Sequence, residues 1–198
     1  MFNWLLKPAI FLCCLIPLAW LVNDTLTEQL SANPIEDITH RTGDWALRFL
    51  LITLAVTPIR RLSHWAGILR LRRIFGLFAF FYAVLHFTTY LWLDQQFLFS
   101  EIWIDIAKRP YITVGFTAFI LLIPLAATSN RYAIRRLGKR WKSLHKLVYP
   151  IAGFGVLHYL WLVKADVREP ALYALILLLL LGIRAYWDRQ VKRQLANA

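Results

Sequence analysis

Cysteine is almost absent: Cys13 and Cys14 are the only two, adjacent in one apolar segment. Sequence neighbours with no third cysteine give neither a disulfide framework nor a thiolate metal site. Charge is scarce too, at 17% of 198 residues against 59% hydrophobic, with a mean hydropathy of +0.52. That balance excludes an ordinary soluble domain of this length. No glycine-rich dinucleotide fingerprint occurs, so any NAD(P)H oxidation belongs to a separate protein. No internal repeat, Gly/Ser linker or appended soluble domain is evident, and residues 1–198 read as a single domain. Carboxylates are nearly missing from the apolar segments and no pair of broken helices stands out. Both absences count against a transporter whose histidines relay protons or bind a metal.

What the chain has instead is apolar runs of membrane length. They cover Leu5–Val22, Trp45–Ile59, Ile74–Leu93, Tyr111–Thr128, Leu147–Val163 and Ala171–Trp187, each bounded by charge or proline. The second and sixth are interrupted by Arg48 and Arg184, which can reach an interface or a polar partner. The first has the length of a retained helix, with no clear small-residue cleavage site after it. The spacing predicts an all-α integral membrane bundle of six transmembrane helices.

The formal net charge of +12 would suit a nucleic-acid binder, but the Lys and Arg residues sit in short runs between apolar segments. Topology accounts for them, and nucleic acid is not a partner. Arg60, Arg61, Arg70, Arg72 and Arg73 follow the second segment, and seven Lys or Arg residues from Arg131 to Lys146 follow the fourth. These loops are cytoplasmic by the positive-inside rule, as is the tail with Arg189, Lys192 and Arg193. The first loop holds Asp24, Glu28, Glu36, Asp37 and Asp44 against Arg41, and the third holds Asp94, Glu101 and Asp105 against Lys108 and Arg109. Those loops face the other side, so both termini are cytoplasmic.

Two histidines then stand out. His86 lies twelve residues into the third segment and His158 eleven into the fifth, which at helical rise is about 18 and 17 Å deep from the same side. Two level imidazoles on separate helices are what a bis-histidine heme requires. Gly76, Ala79 and Ala83 fall on the His86 face and Gly155 precedes His158 by three, leaving room for a flat macrocycle or for close helix packing.

His145 sits at the cytoplasmic mouth of what reads as one apolar helix running to His158. Thirteen residues rotate it about 140° from His158 on an ideal helix, so a second heme at His145 needs a bulge, a tilt or a different partner, and the alternative is a histidine that only touches headgroups. His40 and His64 read as loop histidines on opposite sides, His64 being a weaker candidate for that partner. Arg72 and Arg73 stand where heme propionates or a flavin phosphate would find a cation, and positive-inside topology explains them equally well.

Several runs resemble one family: Arg72 to His86, Leu137 to Tyr149, Val156 to Trp161, Asn33 to Gly43, and Lys108 to Thr113. Together, and in this order, they are similar to the MsrQ family, heme-binding membrane subunits of the periplasmic methionine sulfoxide reductase system within the ferric-reductase-like transmembrane superfamily. The resemblance implies a multi-pass protein of a bacterial inner membrane and b-type heme, one or two groups, with His86, His145 and His158 matching the family's heme-associated histidines. It implies a cytosolic NAD(P)H-dependent flavin reductase as electron donor, with FMN as flavin carrier, and a periplasmic molybdopterin subunit as acceptor. On this reading the chain is an electron-transfer subunit and not a complete enzyme. A stand-alone ferric or quinone reductase is the alternative within redox chemistry.

Overall fold

The computed structural model describes residues 2–163 and 166–196, and among them there is no strand. The order is α1 (Phe2–Leu26), α2 (Pro34–Ser63), a 3-10 turn (Ala66–Arg70), α3 (Arg72–Thr89) running into a π-helical turn (Tyr90–Asp94), and α4 (Phe99–Lys108). Then follow α5 (Pro110–Ala127), the short α6 (Arg131–Leu137) and α7 (Lys139–Leu144), a 3-10 turn (His145–Leu147), α8 (Val148–Leu162) and α9 (Arg168–Ala196).

Among the described residues, five helical stretches are long and apolar enough to cross a membrane: Leu5–Leu26, Pro34–Ser63, Ala66–Asp94, Pro110–Ala127 and Arg168–Leu195. The stretch expected as the fifth of six spans is the 15-residue α8, which falls short of that length. The helix expected to run unbroken from Trp141 to His158 is interrupted by the 3-10 turn at His145–Leu147. His145 and His158 therefore do not share one regular helix.

α2 is the centre of the bundle. Half of its most apolar window is buried, against 17% for each of the other four stretches, although its hydropathy is the lowest at 1.2. A helix covered by protein on most sides need not be as apolar as one facing lipid. This is why the second segment reads as the least clean in sequence: Arg48 donates to the Tyr173 hydroxyl at 2.7 Å and pairs with Asp44 at 3.6 Å. Arg184 likewise donates to the Tyr149 hydroxyl at 2.9 Å and to the Leu54 carbonyl.

α2 begins at Pro34, well before the apolar run, because its start signals lie there. The Asn33 side chain accepts from the Glu36 N–H, Pro34 occupies the first turn, and Glu36 and Asp37 complement the helix dipole. It ends at His64, whose φ of 53° is a left-handed cap. His40 is thus helical, not a loop residue, and His64 is a helix terminus.

The core runs along α2, α3, α5 and α8 through Phe49, Leu54, Phe78, Ala79, Tyr82, Leu122, Ile151 and Ala152. α1 is tied to it by Tyr82, which is 1% exposed. The Tyr82 hydroxyl accepts from the Leu18 N–H at 3.1 Å and donates to the Cys14 carbonyl at 3.0 Å. It bridges the pair that a regular helix joins directly, beside Pro17, where the α1 ladder already lacks a donor.

Candidate functional site

The imidazoles of His86 on α3 and His158 on α8 face each other with ring centres 6.1 Å apart and planes at 74°. Each ring is held by a backbone carbonyl: His86 Nδ1 lies 2.9 Å from the Thr39 oxygen and His158 Nδ1 lies 2.7 Å from the Tyr111 oxygen. A carbonyl oxygen only accepts, so each Nδ1 carries the proton and each Nε2 presents a lone pair. Among the described residues neither Nε2 has a hydrogen-bond partner. A metal-ligating histidine has this tautomer, its ring fixed by a carbonyl at one nitrogen so that the other is left for the metal.

Room for the rings comes from two glycines. A Cβ on Gly43 would stand 3.0 Å from His86 Cε1 and Nδ1, and one on Gly115 would stand 2.7 Å from His158 Nδ1 and 2.9 Å from Cε1. In both halves the glycine is one turn after the residue whose carbonyl holds the ring, Thr39 before Gly43 and Tyr111 before Gly115.

The correspondence goes further. Between the histidines opens a cavity of about 270 Å³. Most of its lining falls into pairs 72 positions apart: Thr39 and Tyr111, Gly43 and Gly115, Ala46 and Ala118, Leu50 and Leu122, Ala83 and Gly155, His86 and His158. The α2–α3 and α5–α8 hairpins are two copies of one arrangement, so the chain does carry an internal repeat. Its longest trace in sequence is Val84-Leu85-His86 against Val156-Leu157-His158, beside the single identities at Gly43, Ala46 and Leu50. The copies differ in polarity at the mouth, where His40 and Asp44 in one stand opposite Ile112 and Phe116 in the other.

Metal-to-imidazole bonds are about 2 Å long, so two imidazoles on opposite sides of one metal have centres roughly 6 Å apart. The observed 6.1 Å fits. Among the described residues no group of three or more His, Cys, Asp or Glu side chains could hold an ion unaided. Two histidines alone suit a metal that brings its own equatorial ligands. Glycine and alanine beside the rings, with Leu47, Leu50 and Leu122 beyond, shape an apolar slot for a flat macrocycle.

Of the other residues singled out by sequence, Ala79, Ala83 and Gly155 line the cavity. Gly76 does not, and its space faces Thr53 of α2, where the two helices approach closely. His145 also lies away from it. It stacks on Trp141 at 3.9 Å, its Nδ1 is 3.2 Å from the Trp141 carbonyl, and its Nε2 is buried without a partner. Trp141 itself donates to the Thr128 carbonyl at 3.0 Å, fixing this corner to the end of α5.

Arg72 is half-buried near Arg184 and Tyr149, Arg73 is exposed, and neither lines the cavity. His64 sits at the surface among Arg60, Arg61 and Trp187. The cation that does line the cavity is Arg109, and His40 lines it as well. Neither follows from helical depth, since both come from the acidic side of the chain, where loop charge alone gave them no role.

A family model for ferric reductase like transmembrane components matches residues 42–156. The heme-binding subunit MsrQ of the protein-methionine-sulfoxide reductase of Herminiimonas arsenicoxydans is 54% identical to this chain, over 98% of it and 90% of the relative. The chain belongs to the MsrQ family. The MsrQ subunit of Rhodospirillum rubrum is 55% identical over 89% of this chain and 85% of its own length. That of Xanthomonas campestris strain 8004 is 53% identical over 95% and 88%. No solved structure matches. With five apolar helices of spanning length, the chain is a multi-pass protein of the bacterial inner membrane.

Proposed function

We propose that the chain is an electron conduit across the inner membrane, carrying a b-type heme between His86 and His158. The observation behind this is the pair of imidazoles 6.1 Å apart in one cavity, each with Nδ1–H on a carbonyl and Nε2 left with its lone pair. Heme bound there supplies a one-electron ferric–ferrous couple. The chain's residues do the rest. The Thr39 and Tyr111 carbonyls orient the rings, Gly43 and Gly115 give them room, and the buried Leu47, Leu50, Leu122 and Ile151 keep water from the slot. Arg109 at the rim offers a heme propionate its cation.

In this reading α8, with the turn ahead of it, is a sixth crossing, both termini are cytoplasmic and the acidic loops are periplasmic. Electrons enter from a cytosolic NAD(P)H-dependent flavin reductase, with FMN as carrier. They leave to a periplasmic molybdopterin methionine sulfoxide reductase that repairs oxidised envelope proteins. The relatives' names, heme-binding subunits of a protein-methionine-sulfoxide reductase, support this assignment. His145 and Arg72 with Arg73 would serve the entry side: the buried Nε2 of His145 would hold a second heme, and the arginines would offer cations to its propionates or to a flavin phosphate.

The test is heme and flavin content of the protein purified from heme-replete cells, for the wild type and for His86→Ala, His158→Ala and His145→Ala. The first two variants lose the six-coordinate heme, while His145→Ala keeps it and loses only an entry-side group. A colourless wild-type protein overturns the proposal. Reoxidation faster by the periplasmic reductase than by chelated iron or quinone separates a conduit from a self-sufficient reductase.

A further inference from the structure

Three residues in the cavity lining have no counterpart 72 positions away within it: Asp94, Ile106 and Arg109. All three belong to α4 or to its immediate flanks. α4 is the element that makes one side of an otherwise duplicated cavity different, and it is held against the rim. Arg109 pairs with Asp105 at 3.2 Å, Gln95 donates to Asp105 at 3.2 Å, and the Thr113 hydroxyl donates to the Ile106 carbonyl.

The helix is amphipathic in a way this docking does not exhaust. At 100° per residue, Glu101, Asp105 and Lys108 share one side. Ile102, which is 5% exposed, and the cavity-lining Ile106 share another. The remaining apolar arc is uncovered: Phe99 is 66%, Trp103 65% and Ile104 42% exposed. Phe97 and Leu98 lead into it at 49% and 56%. Exposed apolar surface of this kind, rimmed by charge, marks a contact.

We propose that α4 is a membrane-surface helix, with Phe99 and Trp103 embedded at the boundary of headgroups and acyl chains and with Glu101 and Lys108 in water. The bilayer is the occupant because α4 is strung between α3 and α5, which belong to stretches of spanning length and expose apolar side chains such as Phe81 and Ile120. Trp92, in the π-helical turn that leads from α3 toward α4, is likewise 62% exposed. Aromatic residues concentrate at this depth, and amphipathic helices lie there in the plane of the membrane. Lipid therefore holds the Ile106 and Arg109 wall against the cavity. Assignment to the periplasmic leaflet rests on the orientation proposed above, and attachment to lipid does not.

The test places a nitroxide on the full chain bearing Cys13→Ser and Cys14→Ala, through Trp103→Cys, Phe99→Cys or Glu101→Cys, in sealed phosphatidylethanolamine/phosphatidylglycerol vesicles. Labels at 103 and 99 are relaxed by oxygen and shielded from a water-soluble nickel chelate, and the label at 101 shows the reverse. The measurement needs no cofactor, so its outcome is independent of the redox assignment. Nickel access at 103 equal to that at 101 overturns the proposal. So does shielding from both agents at 103 and 99, which would mean a protein partner or a second copy covers this face. As a second readout, Trp103→Asp speeds amide exchange across α4 by roughly tenfold or more and Trp103→Phe does not. Equal exchange in both variants contradicts lipid anchoring.

Discussion

Gly115→Ala is the sharpest perturbation of the site, because it adds one methyl group and replaces neither histidine. The new Cβ would stand 2.7 Å from His158 Nδ1. Ordinary contact begins near 3.5 Å, so the ring must retreat by roughly 0.8 Å. That displacement stretches the 2.7 Å bond to the Tyr111 carbonyl beyond hydrogen-bond length and disturbs the 6.1 Å spacing. Overpacking costs about 1–3 kcal/mol and the lost hydrogen bond about 1 kcal/mol. Heme affinity should fall by one to three orders of magnitude, at about 1.4 kcal/mol per tenfold. Gly43→Ala, at 3.0 Å from the His86 ring, falls less, and Gly153→Ala, with nothing within 4 Å, leaves affinity unchanged. The assay is heme titration of the apo-protein in nanodiscs, with thermal stability followed in parallel. If Gly115→Ala binds heme like Gly153→Ala, the glycines are not what positions the imidazoles.

Tyr82→Phe removes the hydroxyl bridging Leu18 and Cys14. It should destabilise the protein by about 1–3 kcal/mol in denaturant titrations while leaving the heme spectrum intact. Arg109→Gln removes the cation lining the cavity, and potentiometric titration should show a lower heme reduction potential, since the reduced centre loses a neighbouring positive charge. Arg73→Gln, at an exposed residue outside the cavity, should leave that potential in place. With imidazole planes at 74°, the ferric protein should give a strongly anisotropic low-spin signal in low-temperature electron paramagnetic resonance, and a signal typical of parallel rings would contradict the geometry.

Much of this was legible in the chain. The pairing of His86 with His158 is expected from helical rise alone, on the reading that both helices enter from one side, and the two rings do stand 6.1 Å apart. The apolar run alone places the second helix from Trp45 and leaves His40 in a loop, whereas α2 starts at Pro34, where Asn33 and Glu36 supply the cap. What the sequence hides is tertiary. Gly43 and Gly115 matter because of a ring on another helix, and the carbonyls of Thr39 and Tyr111 have no side-chain signature. The duplicated cavity is masked because the two copies keep shape and not identity, as Ala83 against Gly155 or Leu47 against Phe119 shows. The expectation of one helix from Trp141 to His158 failed at His145–Leu147, where an apolar pattern continues through a change of helical type. Arg109 was legible only as loop charge, because its place at the cavity depends on α4 folding back to the rim.

The central claim is that His86 and His158 ligate one iron between them. Resonance Raman spectroscopy of the wild type, His86→Ala and His158→Ala, before and after adding free imidazole, tests it most directly. The wild type should be six-coordinate and low-spin. Each variant should lose that state and regain it with imidazole, which fits the space the missing ring leaves. A low-spin heme that survives either substitution unchanged would place the iron elsewhere in the protein.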